Sequence, residues 1–118
     1  MKAGYVYILR CRDGSYYTGC TSNIGFRVAQ HQSGELGGYT ATRRPVTLMF
    51  VQAFPDIRDA ICAERRIKGW SRGKKEALIA GDYDLLTRNA GSPMWIAGLA
   101  RLAAIWSAMD SALSLGIA

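Results

Sequence analysis

Tyr5-Val6-Tyr7-Ile8-Leu9-Arg10-Cys11-Arg12-Asp13-Gly14-Ser15-Tyr16-Tyr17-Thr18-Gly19-Cys20 is the stretch that decides the fold. Tyr5 to Cys11 is rich in aromatic and β-branched residues, the composition of a strand. Asp13-Gly14 is a two-residue turn signal, and Ser15 to Cys20 resumes the extended pattern, so the expected unit is a β-hairpin. Its two tyrosine triplets, Tyr5-Val6-Tyr7 and Tyr17-Thr18-Gly19, then fall on paired strands within reach of each other. On the two-residue period Tyr5 and Tyr7 share one sheet face.

Working outward, Ser22 or Asn23 can cap a helix to about Ser33, which Gly34 ends. Ile24 and Val28 are its apolar anchors, while Asn23, Arg27 and His31 recur every four residues and project from one face. Residues 34–45 read as a polar, glycine-containing loop ending in Arg43-Arg44-Pro45. Val46 to Phe54 forms a third strand, Asp56 opens a helix through about Trp70, and Ser71 to Ala80 makes a further short helix. Residues 82–93 form a turn-rich linker. Beyond it Trp95, Leu99, Leu102, Trp106, Met109 and Leu113 alternate at spacings of four and three, a heptad-like seam over residues 94–115. Ser92 and Pro93 supply its start signal. The expected order is β-β-α-β-α-α plus a hydrophobic C-terminal helix. That is an α/β (α+β) fold with a small three-stranded mixed or antiparallel sheet, a domain over 1–91 and an extension over 92–118.

The bulk composition is ordinary for a globular chain, but the charge is not. Among 118 residues the net charge is +6, and the pI is about 9.6. Only Arg101 and Asp110 are charged beyond residue 91, so the whole surplus belongs to the front domain. A small cationic domain suits a polyanion such as DNA, RNA or an anionic surface. The three cysteines, Cys11, Cys20 and Cys62, fit no metal-ligand spacing and read as reduced residues of a cytoplasmic protein. No signal-peptide pattern opens the chain and no uninterrupted apolar run reaches membrane-spanning length.

Ile57, Ala60, Ile61 and Ile67 mark the apolar stripe of the helix that Asp56 opens, and Glu64 falls in its middle. A carboxylate there needs a partner. One is Lys68 at i+4; the other is a divalent cation, with water and phosphate completing its shell. Arg27 and His31 are either a solvated face or a phosphate grip and a proton shuttle. The tyrosines are either good strand formers or phenols orienting a metal-bound water, a role that asks one pKa to fall well below about 10. Arg65, Arg66, Lys68, Arg72, Lys74 and Lys75 lie within eleven residues with no acid between them. Joined by Arg43 and Arg44, they suit phosphate-backbone contacts, and Trp70 among them is either a core-edge residue or a base-stacking platform.

In this order the residues resemble the GIY-YIG nuclease superfamily, particularly its small stand-alone bacterial members, over residues 4 to 81. Tyr5-Val6-Tyr7 stands for Gly-Ile-Tyr and Tyr17-Thr18-Gly19 for Tyr-Ile-Gly. Arg27, His31 and Glu64 stand at the family's arginine, histidine and metal-binding glutamate. Tyr5 replaces the first glycine, no asparagine follows Glu64 within twenty residues, and residues 92–118 have no counterpart in the minimal domain. The resemblance implies metal-dependent phosphodiester hydrolysis. Glu64 would hold Mg²⁺ or Mn²⁺, Tyr7 with His31 would activate water, Tyr17 would position it, and Arg27 would stabilise the transition state. The expected function is a DNA endonuclease selecting structure, such as branched or damaged DNA, with RNA left open. The alternatives are a non-catalytic nucleic-acid-binding module and an interaction protein acting through its C-terminal helix, as monomer or homodimer.

Overall fold

The computed structural model describes residues 2–82 and Leu86. The chain divides into two compact units, Met1–Arg72 and Gly73–Ala118. The first contains β1 (Gly4–Arg10), β2 (Tyr16–Thr21), α1 (Ile24–Ser33), α2 (Gly38–Ala41), β3 (Thr47–Phe54) and α3 (Ile57–Lys68). Helix α4 (Arg72–Ala80) opens the second. The expected order is present, with the four-residue α2 inserted where a bare loop was anticipated. The C-terminal helix over 94–115, its seam and the boundary after residue 91 lie outside the described residues.

The three strands make one sheet in the order β2-β1-β3, antiparallel throughout. The β1–β2 connection is longer than its Asp13-Gly14 signal suggests. Cys11 and Ser15 still pair, the Cys11 N–H donating to the Ser15 carbonyl at 2.8 Å, so Arg12-Asp13-Gly14 form a three-residue turn. Gly14 closes it at φ +82°, a left-handed conformation that side chains resist. On the other side of β1 the register with β3 slips between Ile8 and Leu9.

Alternation along β1 gives the sheet two occupied faces. Gly4, Val6 and Ile8 face α3, which contacts all three strands. A Cβ at Gly4 would stand 2.8 Å from the Ile57 Cα, so glycine lets the helix start close against the strand. Tyr7 and Leu9 face the other way, into a cluster with Cys11 and Val46 that Tyr17, Ile24 and Val28 of β2 and α1 pack against. Both long helices start as anticipated. The Asn23 side chain accepts from the Phe26 N–H at 3.1 Å, and that of Asp56 from the Arg58 N–H at 2.9 Å. Gly34, at φ +79°, ends α1. All three cysteines are free. Among the described residues no helix is long and apolar enough to cross a membrane.

Candidate active site

The site grows from a missing side chain. Tyr7 and Gly19 are cross-strand partners, and a Cβ on Gly19 would overlap the Tyr7 hydroxyl and ring. Glycine therefore lets the phenol lie across β2, where its oxygen meets His31 Nε2 of α1 at 2.8 Å. Tyr17 completes the aromatic group, its ring centroid 5.1 Å from that of His31 and 6.5 Å from that of Tyr7. Arg27, one helical turn before His31, lies close enough to both Tyr7 and His31 to bear on their protonation.

Tyr7 differs from expectation. Its pKa is not lowered but pushed up to about 12, first by burial and then by Tyr17. The Arg27 guanidinium pulls it down and the Glu64 charge adds to the rise. Tyr7 is thus a protonated phenol hydrogen-bonded to His31, with no standing phenolate to act as base. Burial, with Arg27 beside it, holds His31 below its ordinary pKa of 6.5, so the imidazole is neutral at pH 7. On the other side of the ring, His31 Nδ1 is hydrogen-bonded to Thr40 Oγ1 at 2.8 Å. Thr40 is almost wholly buried in α2, and its hydrogen bond fixes the orientation of the imidazole towards Tyr7.

Thr40 was not anticipated, and neither was its neighbour Tyr39. The Tyr39 ring stacks on Tyr17 at 6.3 Å and 23°, with Arg43 Cζ 3.7 Å from its centroid. The available signal was an aromatic and a threonine following Gly37-Gly38 in an otherwise polar loop.

Glu64 stands at the border of the α3 stripe rather than in its middle. The buried positions are Ala60, Ala63 and Ile67, and Glu64 retains 18% side-chain exposure. Its carboxylate is paired with Lys68 Nζ at 2.6 Å. It also bears electrostatically on Tyr7 and on Cys20, whose thiol burial pushes up. Arg27 acts on the same two residues, so α1 and α3 bring opposite charges to one neighbourhood around Tyr7. Arg27 Nε is buried with no hydrogen-bond partner. A buried guanidinium N–H left open in this way is suited to an anionic oxygen.

The expected basic cluster is spread out. Arg65 and Arg66 are exposed on the last turn of α3, where cations also suit the helix dipole. Lys68 is tied to Glu64. Trp70 is half-buried, and Arg72 Cζ lies 4.7 Å from the centroid of Tyr16. Lys74 and Lys75 are half-buried on α4, in the second unit. Arg43 binds Asp13 at 3.2 Å and the Tyr39 carbonyl at 2.9 Å; Arg44 binds the Ala41 and Ser33 carbonyls at 3.0 and 2.9 Å. Both arginines hold the 34–45 loop in shape.

Among the described residues no group of three or more His, Cys, Asp or Glu side chains could cage a metal. A single carboxylate is instead compatible with a hard cation that keeps water and phosphate as its other ligands. Glu64 is the carboxylate that would hold such a divalent cation.

Fold and site define a family. Residues 3–77 match the GIY-YIG catalytic domain, and the chain belongs to the GIY-YIG family. Its similarity extends to small proteins nearly the size of that domain. A UPF0213 protein of Halobacterium salinarum is 46% identical over 74 residues, 63% of this chain and 96% of its own. One from Lacticaseibacillus paracasei is 45% identical over 78 residues, 66% of this chain and 88% of its own. A solution NMR structure of the UPF0213 protein from Bacillus halodurans has 44% identity and a TM-score of 0.45, spanning 66% of this chain and 83% of that one. Membership makes the domain a nuclease type, with nucleic acid as the class of substrate.

Proposed function

We propose that this protein is a divalent-metal-dependent endonuclease that hydrolyses DNA phosphodiester bonds and selects substrate by structure rather than sequence. The observation that carries the reading is the buried, unpartnered Nε of Arg27 beside the Tyr7–His31 pair. A phosphate oxygen would satisfy it, and the charge developing on that phosphate would strengthen the bond. The cation held by Glu64 would polarise the phosphate and lower the pKa of its bound water.

The chain's own groups would manage the proton. Tyr7, too weakly acidic to act as a free phenolate, passes its proton to His31 Nε2 as it takes one from the attacking water. In that role Thr40 would accept the His31 Nδ1 proton and leave Nε2 free to accept. Tyr17 walls the site and orients the water or phosphate, while Arg27 grips the phosphate. Arg65, Arg66, Arg72, Lys74 and Lys75, with Trp70, supply backbone-tracking charge and a stacking face. The net charge of +6 supports a polyanionic substrate. Free cysteines and the cationic front domain are compatible with a cytoplasmic DNA-processing role.

The Glu64–Lys68 pair favours a second reading, a binding module whose glutamate is structurally satisfied. Labelled single-stranded, duplex, flap and four-way-junction DNA, and matching RNA, incubated with Mg²⁺, Mn²⁺ or EDTA, distinguish the two. The nuclease reading expects metal-dependent products with one preferred DNA shape. Binding without cleavage on every substrate would leave the module.

A further inference from the structure

Lys68 lies on the last turn of α3. The other cations on its turn, Arg65 and Arg66, are exposed, whereas the Lys68 ammonium reaches back one turn to Glu64 at 2.6 Å. The two ends of this pair differ in freedom. Glu64 is held at the edge of the buried stripe with 18% exposure, while the Lys68 side chain is 53% exposed on a flexible stem. Lys68 also lies within electrostatic reach of Tyr17 on the aromatic wall of the site.

We propose that Lys68 is the placeholder for the divalent cation, neutralising Glu64 in the resting protein and transferring its charge to the substrate phosphate beside Tyr17 when metal takes the carboxylate. This rests on the reading of Glu64 as the metal-holding residue. A divalent and a univalent cation on one carboxylate repel each other, so metal entry and Lys68 departure are coupled. The arrangement keeps a half-buried carboxylate compensated before metal arrives. It also gives the metal-loaded state one more cation for DNA than the metal-free state. Metal and DNA then assist each other through the charge they exchange.

The test is Mn²⁺ titration of the full-length protein without DNA, followed by electron paramagnetic resonance. Wild type is compared with Lys68→Met, Lys68→Arg and Glu64→Gln. Lys68→Met should bind Mn²⁺ about five-fold tighter, the equilibrium equivalent of one exposed ion pair. Lys68→Arg should stay near wild type, and Glu64→Gln should bind more weakly than either. Equal affinity in wild type and Lys68→Met would overturn the placeholder while leaving Glu64 as the metal residue. Binding insensitive to Glu64→Gln would sink the metal assignment and the placeholder with it. DNA affinity, measured with Ca²⁺ to suppress turnover and again in EDTA, reads the second half. Lys68→Met should weaken binding with metal and leave it nearly unchanged in EDTA, where Lys68 is already committed. Equal loss in both conditions would contradict the charge transfer.

Discussion

At the scale of single residues, the chemistry turns on which atom carries which proton. Thr40→Val removes the hydrogen-bond partner of His31 Nδ1 while keeping shape. It should lower turnover by part of the roughly 10²–10⁴-fold that a positioned acid–base group supplies, with DNA binding preserved and Thr40→Ser restoring activity. Single-turnover rates for the two variants check this. His31 is the chain's only histidine, so imidazole titration belongs to it alone. Its pKa is below 6.5 in the folded protein, so the unfolded chain binds the proton first as pH falls. Its stabilising contribution is therefore complete above about pH 6.5 and lost as pH falls through the folded value. Melting temperatures between pH 7.5 and 5 should decline more in wild type than in His31→Gln, and the acid limb of activity should lie below pH 6.5. The lowered carboxyls of Asp13 and Asp56 titrate beneath 3.8 and do not enter that window.

At the scale of elements, the hairpin and the helix that follows it were readable because local chemistry dictates them. Tyr and Val on a two-residue period, Asn23 at a helix start and Gly34 at its end leave little choice. The turn length was not readable, because Gly14 serves two- and three-residue turns alike and only the Cys11–Ser15 pairing decides. Helix α2 escaped for a different reason. Four residues cannot display a helical period, and Thr40 is buried through a partner far away in sequence. The direction of the Tyr7 shift was equally invisible, since burial of a phenol depends on three elements converging. Gly19→Ala tests that convergence, because the added methyl takes the space of the Tyr7 hydroxyl. It should separate Tyr7 from His31, destabilise by about 1–3 kcal/mol and remove activity. Denaturation and cleavage assays on the one variant report both effects.

At the scale of the whole molecule, a small antiparallel sheet with a helix on either face delivers opposite charges to one strand edge. Arg27 arrives from α1 and Glu64 from α3, and Tyr7 is reached by both. The family was legible because the spacing of these residues follows the order of the elements that carry them. The net charge of +6 predicts DNA affinity that falls steeply as salt rises, with Arg65→Ala and Arg66→Ala each reducing the slope by about one. Binding isotherms across a salt series measure it.

The most direct measurement is the single-turnover cleavage rate of Glu64→Ala beside wild type, at saturating protein with Mg²⁺, with DNA affinity measured on the same samples. Loss of cleavage with affinity nearly retained is expected of a metal-holding carboxylate at a phosphodiester-cleaving site. Cleavage at the wild-type rate in that variant would contradict it.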